Sequence, residues 1–154
     1  MPAAEFLEAL YRVPGIKSDF DAVALHPYAV DAETLAELVE AMREVVVANH
    51  DPSTGLYVTE MGWGSQNDYQ QDAFEQGVRG QVRQLRASYA FLLENRFRLD
   101  IKGVYWFSWQ DLPDSCNFCD SVGLFSSGTR LRPKAAWHAF VGITGGRPRP
   151  LAAH

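Results

Sequence analysis

Leu56-Tyr57-Val58-Thr59-Glu60-Met61-Gly62-Trp63-Gly64 reads as a short strand that breaks into glycines and an indole directly after one carboxylate. Parallel α/β proteins build their active sites beyond the carboxyl ends of the strands. Glu60 therefore stands where such a protein places its chemistry, and it is the first candidate catalytic residue.

Upstream of this strand, residues 32–49 carry Leu35, Leu38, Val39, Met42, Val45 and Val46 at steps of three and four, with Glu33, Glu37, Glu40 and Arg43 opposite. That period predicts an amphipathic helix. His50-Asp51-Pro52-Ser53-Thr54-Gly55 is a loop by composition. Before the helix, residues 20–28 form an apolar run stopped by Pro27, a strand with His26 and Tyr28 at its exit. Residues 3–11, ending at Val13-Pro14-Gly15, have helical spacing.

Downstream, Phe74, Val78, Val82, Leu85, Tyr89, Leu92 and Leu93 predict the buried stripe of a long helix ending near Asn95-Arg96. Residues 101–109 predict a third strand, dense in β-branched and aromatic side chains. A long loop follows to Pro133, then a helix over 134–141, with 144–154 as a loose tail. Helices alternating with strands imply parallel strands joined by right-handed crossovers, hence an α/β fold over residues 1–143. Three parallel strands leave two edges and a face in need of cover, so the chain is either a small open layer or part of something larger.

The 154 residues suit one domain of ordinary size. A net charge of −5 opposes a nucleic-acid groove, which needs a concentrated cationic face. No apolar run approaches the roughly 20 residues of a membrane span. Residues 1–5 lack the basic and apolar regions of a secretory signal, which leaves the compartment undetermined.

Alternation puts His26 and Tyr28 on one face at the exit of the strand before that of Glu60. A carboxylate flanked by an imidazole and a phenol is held and oriented as a carboxylate nucleophile must be. Trp63, Trp106 and Trp109 lie close to strand ends. Carboxylates among flat indoles suit a carbohydrate, whose C–H faces stack on rings. Parity leaves open whether Trp106 or Trp109 faces the mouth.

The segments Ala24-Leu25-His26-Pro27-Tyr28, Val58-Thr59-Glu60-Met61-Gly62-Trp63 and Val104-Tyr105-Trp106-Phe107-Ser108-Trp109-Gln110-Asp111, closed by Pro133-Lys134-Ala135-Ala136-Trp137, carry a resemblance. Together they resemble the last three strands and final helix of clan A retaining glycoside hydrolases, of family 39 or family 5 type. The resemblance implies a partial (β/α)8 TIM barrel of about three β/α units with parallel strands. It makes Glu60 the nucleophile, His26 and Tyr28 its neighbours, and Trp106 the floor of the sugar site. A carbohydrate substrate is implied, with no cofactor and no metal.

The chain departs from that pattern in lacking the Asn-Glu pair that ends strand four of such barrels and supplies the acid/base. Asp111 is the only nearby substitute, and it also reads as a loop cap. A retaining mechanism needs two carboxyl groups, so the reading calls for an upstream half-barrel, or for self-association through open strand edges. A non-catalytic carbohydrate-binding remnant is the alternative. Cys116-Asn117-Phe118-Cys119 cannot fill a four-coordinate zinc site alone, which disfavours a thiol or metal module and leaves a small loop disulfide or two free thiols.

Overall fold

A computed structural model describes residues 1–68 and 72–146. Among these residues four α-helices and three strands alternate: α1 (Ala3–Tyr11), β1 (Ala22–Leu25), α2 (Ala32–Ala48), β2 (Gly55–Met61), α3 (Gly77–Glu94), β3 (Ile101–Trp106) and α4 (Ala135–Ile143). The strands form one parallel sheet in the order β1-β2-β3. This is the expected α/β arrangement. The tail expected over 144–154 lies, from residue 147 on, outside the described residues.

The described chain divides into two compact units, one of 1–61 with 90–106, the other of 62–89 with 107 onward. In the first, β2 is the central strand, and Leu56, Val58 and Met61 are fully buried on it. Val23 and Leu25 of β1 and Leu35, Val39, Met42 and Val46 of α2 complete the apolar core. Each such side chain contributes roughly 1.5–3 kcal/mol by leaving water. Asp31 starts α2 as its cap, with Oδ1 accepting from the Thr34 amide at 2.8 Å, and that bond holds its carboxyl below the usual carboxylate range.

The strand-to-helix connections are tied by polar contacts. Asp51 Oδ2 accepts from the Tyr11 hydroxyl at 3.0 Å and from Thr54 Oγ1 at 2.7 Å. Arg43 donates to the carbonyls of Thr54 and Pro52 at 3.0 and 2.8 Å, so α2 grips the loop that leads into β2. Burial, reinforced by Asp51, pushes the Tyr11 phenol up to about 12.

The structure corrects two expectations. The third strand ends at Trp106, not at residue 109, because the backbone beyond it bonds elsewhere. Leu124 donates to the Ser108 carbonyl at 3.1 Å, Phe125 to that of Trp109 at 3.1 Å, and Asp111 to that of Phe125 at 2.9 Å. The stripe expected on α3 also shifts, since Val78 and Leu93 are exposed while Gln81, Gln84 and Ser88 are buried beside Leu85 and Tyr89. Gln81 explains the shift. Its Nε2 donates to the carbonyls of Trp63, Ser121 and Val122 at 2.9, 3.1 and 3.2 Å, satisfying loop backbone that no ladder reaches.

Ser121 is the hub of that loop. Its hydroxyl lies 2.6 and 2.8 Å from the two oxygens of Glu75, and its carbonyl accepts from Lys134 Nζ at 2.6 Å. Gly64 admits the arrangement, because a Cβ there would stand 2.3 Å from Glu75 Oε2. Burial raises the Glu75 carboxyl above its ordinary range, against the opposing bonds from Ser121 and the Gln66 amide. Cys116 and Cys119 form a disulfide, the first of the two states left open above, with Cys116 exposed and Cys119 buried.

Replacing Gln81 by leucine keeps volume and removes the donor, so urea unfolding should show a loss of about 1–3 kcal/mol. Leu93→Ala, on the exposed side of the same helix, should stay within about 0.5 kcal/mol. If the two variants cost alike, the buried polar face of α3 is misassigned. A second expectation follows from Tyr11, which keeps its proton up to about 12 in the folded chain against 10.0 for a free phenol. The folded state then binds more protons, so this contribution is fully present below pH 10 and is lost as pH rises through 12. The gap in urea midpoint between the parent and Tyr11→Phe should narrow over that interval.

Candidate active site

Parity and register on β2 decide where the carboxylate goes. Val58 faces the core and pairs with Leu25 on one side and Val104 on the other. The pairing of β2 with β3 then shifts between Val58 and Met61, a local irregularity that falls on Thr59 and Glu60. Such bulges re-aim side chains at strand ends. Glu60 emerges with its side chain 35% exposed, while Met61 beside it is fully buried and pairs with Trp106.

β1 ends at Leu25, and the chain turns at once through His26-Pro27-Tyr28, where the Tyr28 amide donates to the His26 carbonyl at 2.8 Å. The turn folds the two rings edge to face, with centroids 6.3 Å apart. Both then reach the same atom. The Tyr28 hydroxyl donates to Glu60 Oε2 at 2.9 Å, and His26 Nδ1 lies 3.4 Å from that oxygen. This is an ion pair only when the imidazole carries its second proton.

The two carboxylate oxygens are thus unequal. Oε2 accepts from Tyr28 and is faced by His26, whereas Oε1 accepts no hydrogen bond among the described residues. A carboxylate fixed through one oxygen presents the other in a set direction, the geometry required for attack at carbon or for taking a proton. Tyr28 feels the charge in return. Burial first, then the hydrogen bond and charge of Glu60, raise its phenol far above the ordinary range.

The structure thus brings together three of the residues read from the sequence: Glu60, His26 and Tyr28. Trp106 ends β3 in the same unit, half-buried. Trp63, Trp109 and Asp111 belong to the second unit and take up other work there. Trp63 is fully buried, so no sugar face can stack on it as the ring stands. Trp109 is 54% exposed and packs on Phe125 and Trp137, with ring centroids 4.5 and 5.8 Å away. Asp111 is buried, and its Oδ1 accepts from Lys134 Nζ at 2.7 Å and from the Gly123 amide at 2.8 Å, which makes it the loop cap. The sequence reading missed Glu75, Ser121, Gln81 and Lys134, whose only signal was a set of polar residues without period.

Among the described residues no cluster of three or more histidine, cysteine, aspartate or glutamate side chains could hold a metal ion. No described helix is long and apolar enough to cross a membrane.

No protein-family model matches the chain, and no curated protein matches it. Among solved structures it is similar to a glycoside hydrolase family 2 β-galacturonidase from Eisenbergiella tayi bound to galacturonate. The TM-score is 0.58 and the identity 17%, over 81% of this chain and 24% of that one. It is also similar to a glycoside hydrolase family 17 β-1,3-glucanosyltransferase from Rhizomucor miehei, with a TM-score of 0.48 and 15% identity over 84% of this chain and 55% of that one. The structural neighbours are glycoside hydrolases, and the first likeness, at such identity, is one of fold. The chain spans about a quarter of the length of the β-galacturonidase it matches.

The coupling between Tyr28 and Glu60 is open to direct test. Neutralising the carboxylate in Glu60→Gln should lower the titration midpoint of Tyr28, followed by carbon NMR of ring-labelled tyrosine, yet leave it above that of a free phenol because burial remains. An unchanged midpoint would show that the two groups do not share a proton-binding environment.

Proposed function

We propose that the chain is the part of a retaining glycoside hydrolase that carries the nucleophile, a partial (β/α)8 barrel of family 39 or family 5 type in which Glu60 attacks the anomeric carbon. The observation that carries this reading is the asymmetric hold on Glu60, with Oε2 bound by Tyr28 and faced by His26 while Oε1 accepts no hydrogen bond among the described residues. In the first step Oε1 forms the bond to the anomeric carbon as the glycosidic bond breaks, and the leaving oxygen takes a proton from a second carboxyl group. Water then hydrolyses the glycosyl-enzyme, and Glu60 is released as carboxylate. Tyr28 donates to the non-attacking oxygen throughout and fixes the direction of attack.

Such a mechanism works with carboxyl groups about 5–5.5 Å apart. Asp111 is committed to Lys134 and the Gly123 amide, so the second carboxyl comes from a polypeptide segment beyond the three β/α units. The substrate is a carbohydrate, with Trp106, which ends β3 opposite Met61, as the floor of its site.

The deciding experiment is intact-mass labelling with 2-deoxy-2-fluoro glycosyl donors, whose activated leaving groups reduce the need for the acid. A glycosyl adduct should map to Glu60 and be absent from Glu60→Gln. Tyr28→Phe should slow its formation about 10–100-fold, the effect of losing one orienting hydrogen bond. Sugar binding without any adduct, unchanged in Glu60→Ala, would establish a non-catalytic carbohydrate-binding protein instead.

A further inference from the structure

The disulfide of Cys116 and Cys119 lies on the loop between β3 and α4, within the second unit, and its two halves meet solvent unequally. Cys116 is exposed, whereas Cys119 is only 2% exposed. A thiolate arriving from solvent therefore reaches the bond at Cys116, and attack there makes the buried Cys119 sulfur the leaving group.

The loop is anchored in two independent ways. The cystine closes a turn in which the Cys119 amide donates to the Cys116 carbonyl at 3.1 Å and the Leu112 amide to the Cys119 carbonyl at 2.9 Å. Phe118, between the two cysteines, stacks on Phe74 with ring centroids 5.1 Å apart. Two residues beyond Cys119, Ser121 is held by Glu75, Gln81 and Lys134, bonds that owe nothing to the sulfurs. Opening the disulfide thus removes a clasp from 112–120 and leaves the polar anchor in place.

The surroundings decide which thiol attacks. Between Lys102 and Arg130 the sequence holds no lysine, arginine or histidine, while Asp114 and Asp120 flank the cystine and are both exposed. The Asp114 amide donates to Asp120 Oδ1 at 3.1 Å, which keeps these acidic residues on one turn. Lys134 is committed to Asp111 and the Ser121 carbonyl. An anionic thiol meets like charge here, and a neutral or cationic one does not. Catalytic Cys-x-x-Cys pairs sit at the start of a helix or beside a cation. The helical turn at Cys119–Ser121 has three residues, so this pair is a target of exchange and not a catalyst of it.

We propose that the Cys116–Cys119 disulfide is a thiol–disulfide exchange site, opened at Cys116 by a dithiol with no negative charge beside its reacting sulfur, and that opening loosens 112–120 alone. The attacking thiolate bonds to Cys116 Sγ as the disulfide breaks, and Cys119 Sγ leaves with the electron pair and takes a proton. The second thiol of the reductant then closes on its own mixed-disulfide sulfur and releases Cys116 as a thiol. Two electrons and two protons pass to the cystine, and the dithiol becomes a cyclic disulfide. This site goes beyond the reading of Glu60 and does not depend on it.

The test takes the full oxidised chain, without denaturant, and dithiothreitol as the dithiol. Intact mass should rise by two hydrogens, and a pulse of N-ethylmaleimide should alkylate Cys116 about tenfold faster than Cys119, because reactivity follows exposure. Amide exchange should quicken over 112–120 and stay unchanged over 77–88 of α3. Reduction only in urea, equal alkylation of the two cysteines, or exchange unchanged over 112–120 or quickened through α3 would each overturn the proposal. Charge is read with cysteamine, mercaptoethanol and mercaptoethanesulfonate, as the rate of the mixed disulfide at Cys116 corrected for thiolate fraction. The cationic thiol should be fastest and the anionic slowest, over a span of about tenfold that shrinks as salt is raised. Asp114→Asn should narrow the span, with Asp120→Asn in its place should circular dichroism show the first variant unfolded. Equal rates for the three thiols, or a span indifferent to salt, would overturn the choice of reductant and the proposal with it.

Discussion

β2 is the one described strand with a partner on each side, and the first unit is registered to it. Its neighbour β1 contributes Val23 and Leu25 to the buried set, and α2 adds five more buried apolar side chains. A slip of one residue in β2 would turn Leu56 and Val58 to the opposite face, at a cost no local rearrangement could recover. The position of Glu60 is a by-product of that constraint. Once Val58 is fixed inward, the irregularity before Met61 leaves Glu60 outside the core and within reach of the His26-Pro27-Tyr28 turn.

Elements whose burial is apolar were legible in the sequence. The period of Leu35, Val39, Met42 and Val46 marked α2, and the dense runs ending at His26-Pro27 and at Glu60 marked β1 and β2. Strand exits also pointed to the side chains that meet, because adjacent parallel strands place their ends together. What escaped is burial by polar groups. On α3 the apolar residues Val78 and Leu93 looked inward by period, whereas Gln81 and Ser88 hold inward positions, Gln81 because the unladdered backbone around Ser121 needs donors and Ser88 with its hydroxyl satisfied by the Leu85 carbonyl. Trp63 was read as a site residue from its place after a strand, and local packing absorbed it, whereas Asp111 takes the loop-cap role that was its other reading.

The second unit holds a loop between β3 and α4 that has a single short helical turn, at Cys119–Ser121. It keeps its form through concentrated hydrogen bonding rather than through a ladder. Lys134 at the start of α4 ties Asp111 to Ser121, Gln81 ties three carbonyls, and the cystine closes the turn between them. Networks of this kind are costly when one member is lost, because each remaining polar group is then buried without a partner. Burial also lowers the Lys134 ammonium below its ordinary range, though Asp111 and Glu75 oppose that shift.

The order of segments along the chain has a consequence for synthesis. The first unit is assembled from 1–61 and 90–106, so β3 leaves the ribosome only after the 28 residues of 62–89 have been made. At ordinary elongation rates β1 and β2 wait several seconds before β3 can cover the open edge of β2. Two strands alone are at best marginally stable in water. The nascent chain therefore passes through an interval in which its apolar strands lack their third partner, and the length of the 62–89 segment sets how long that interval lasts.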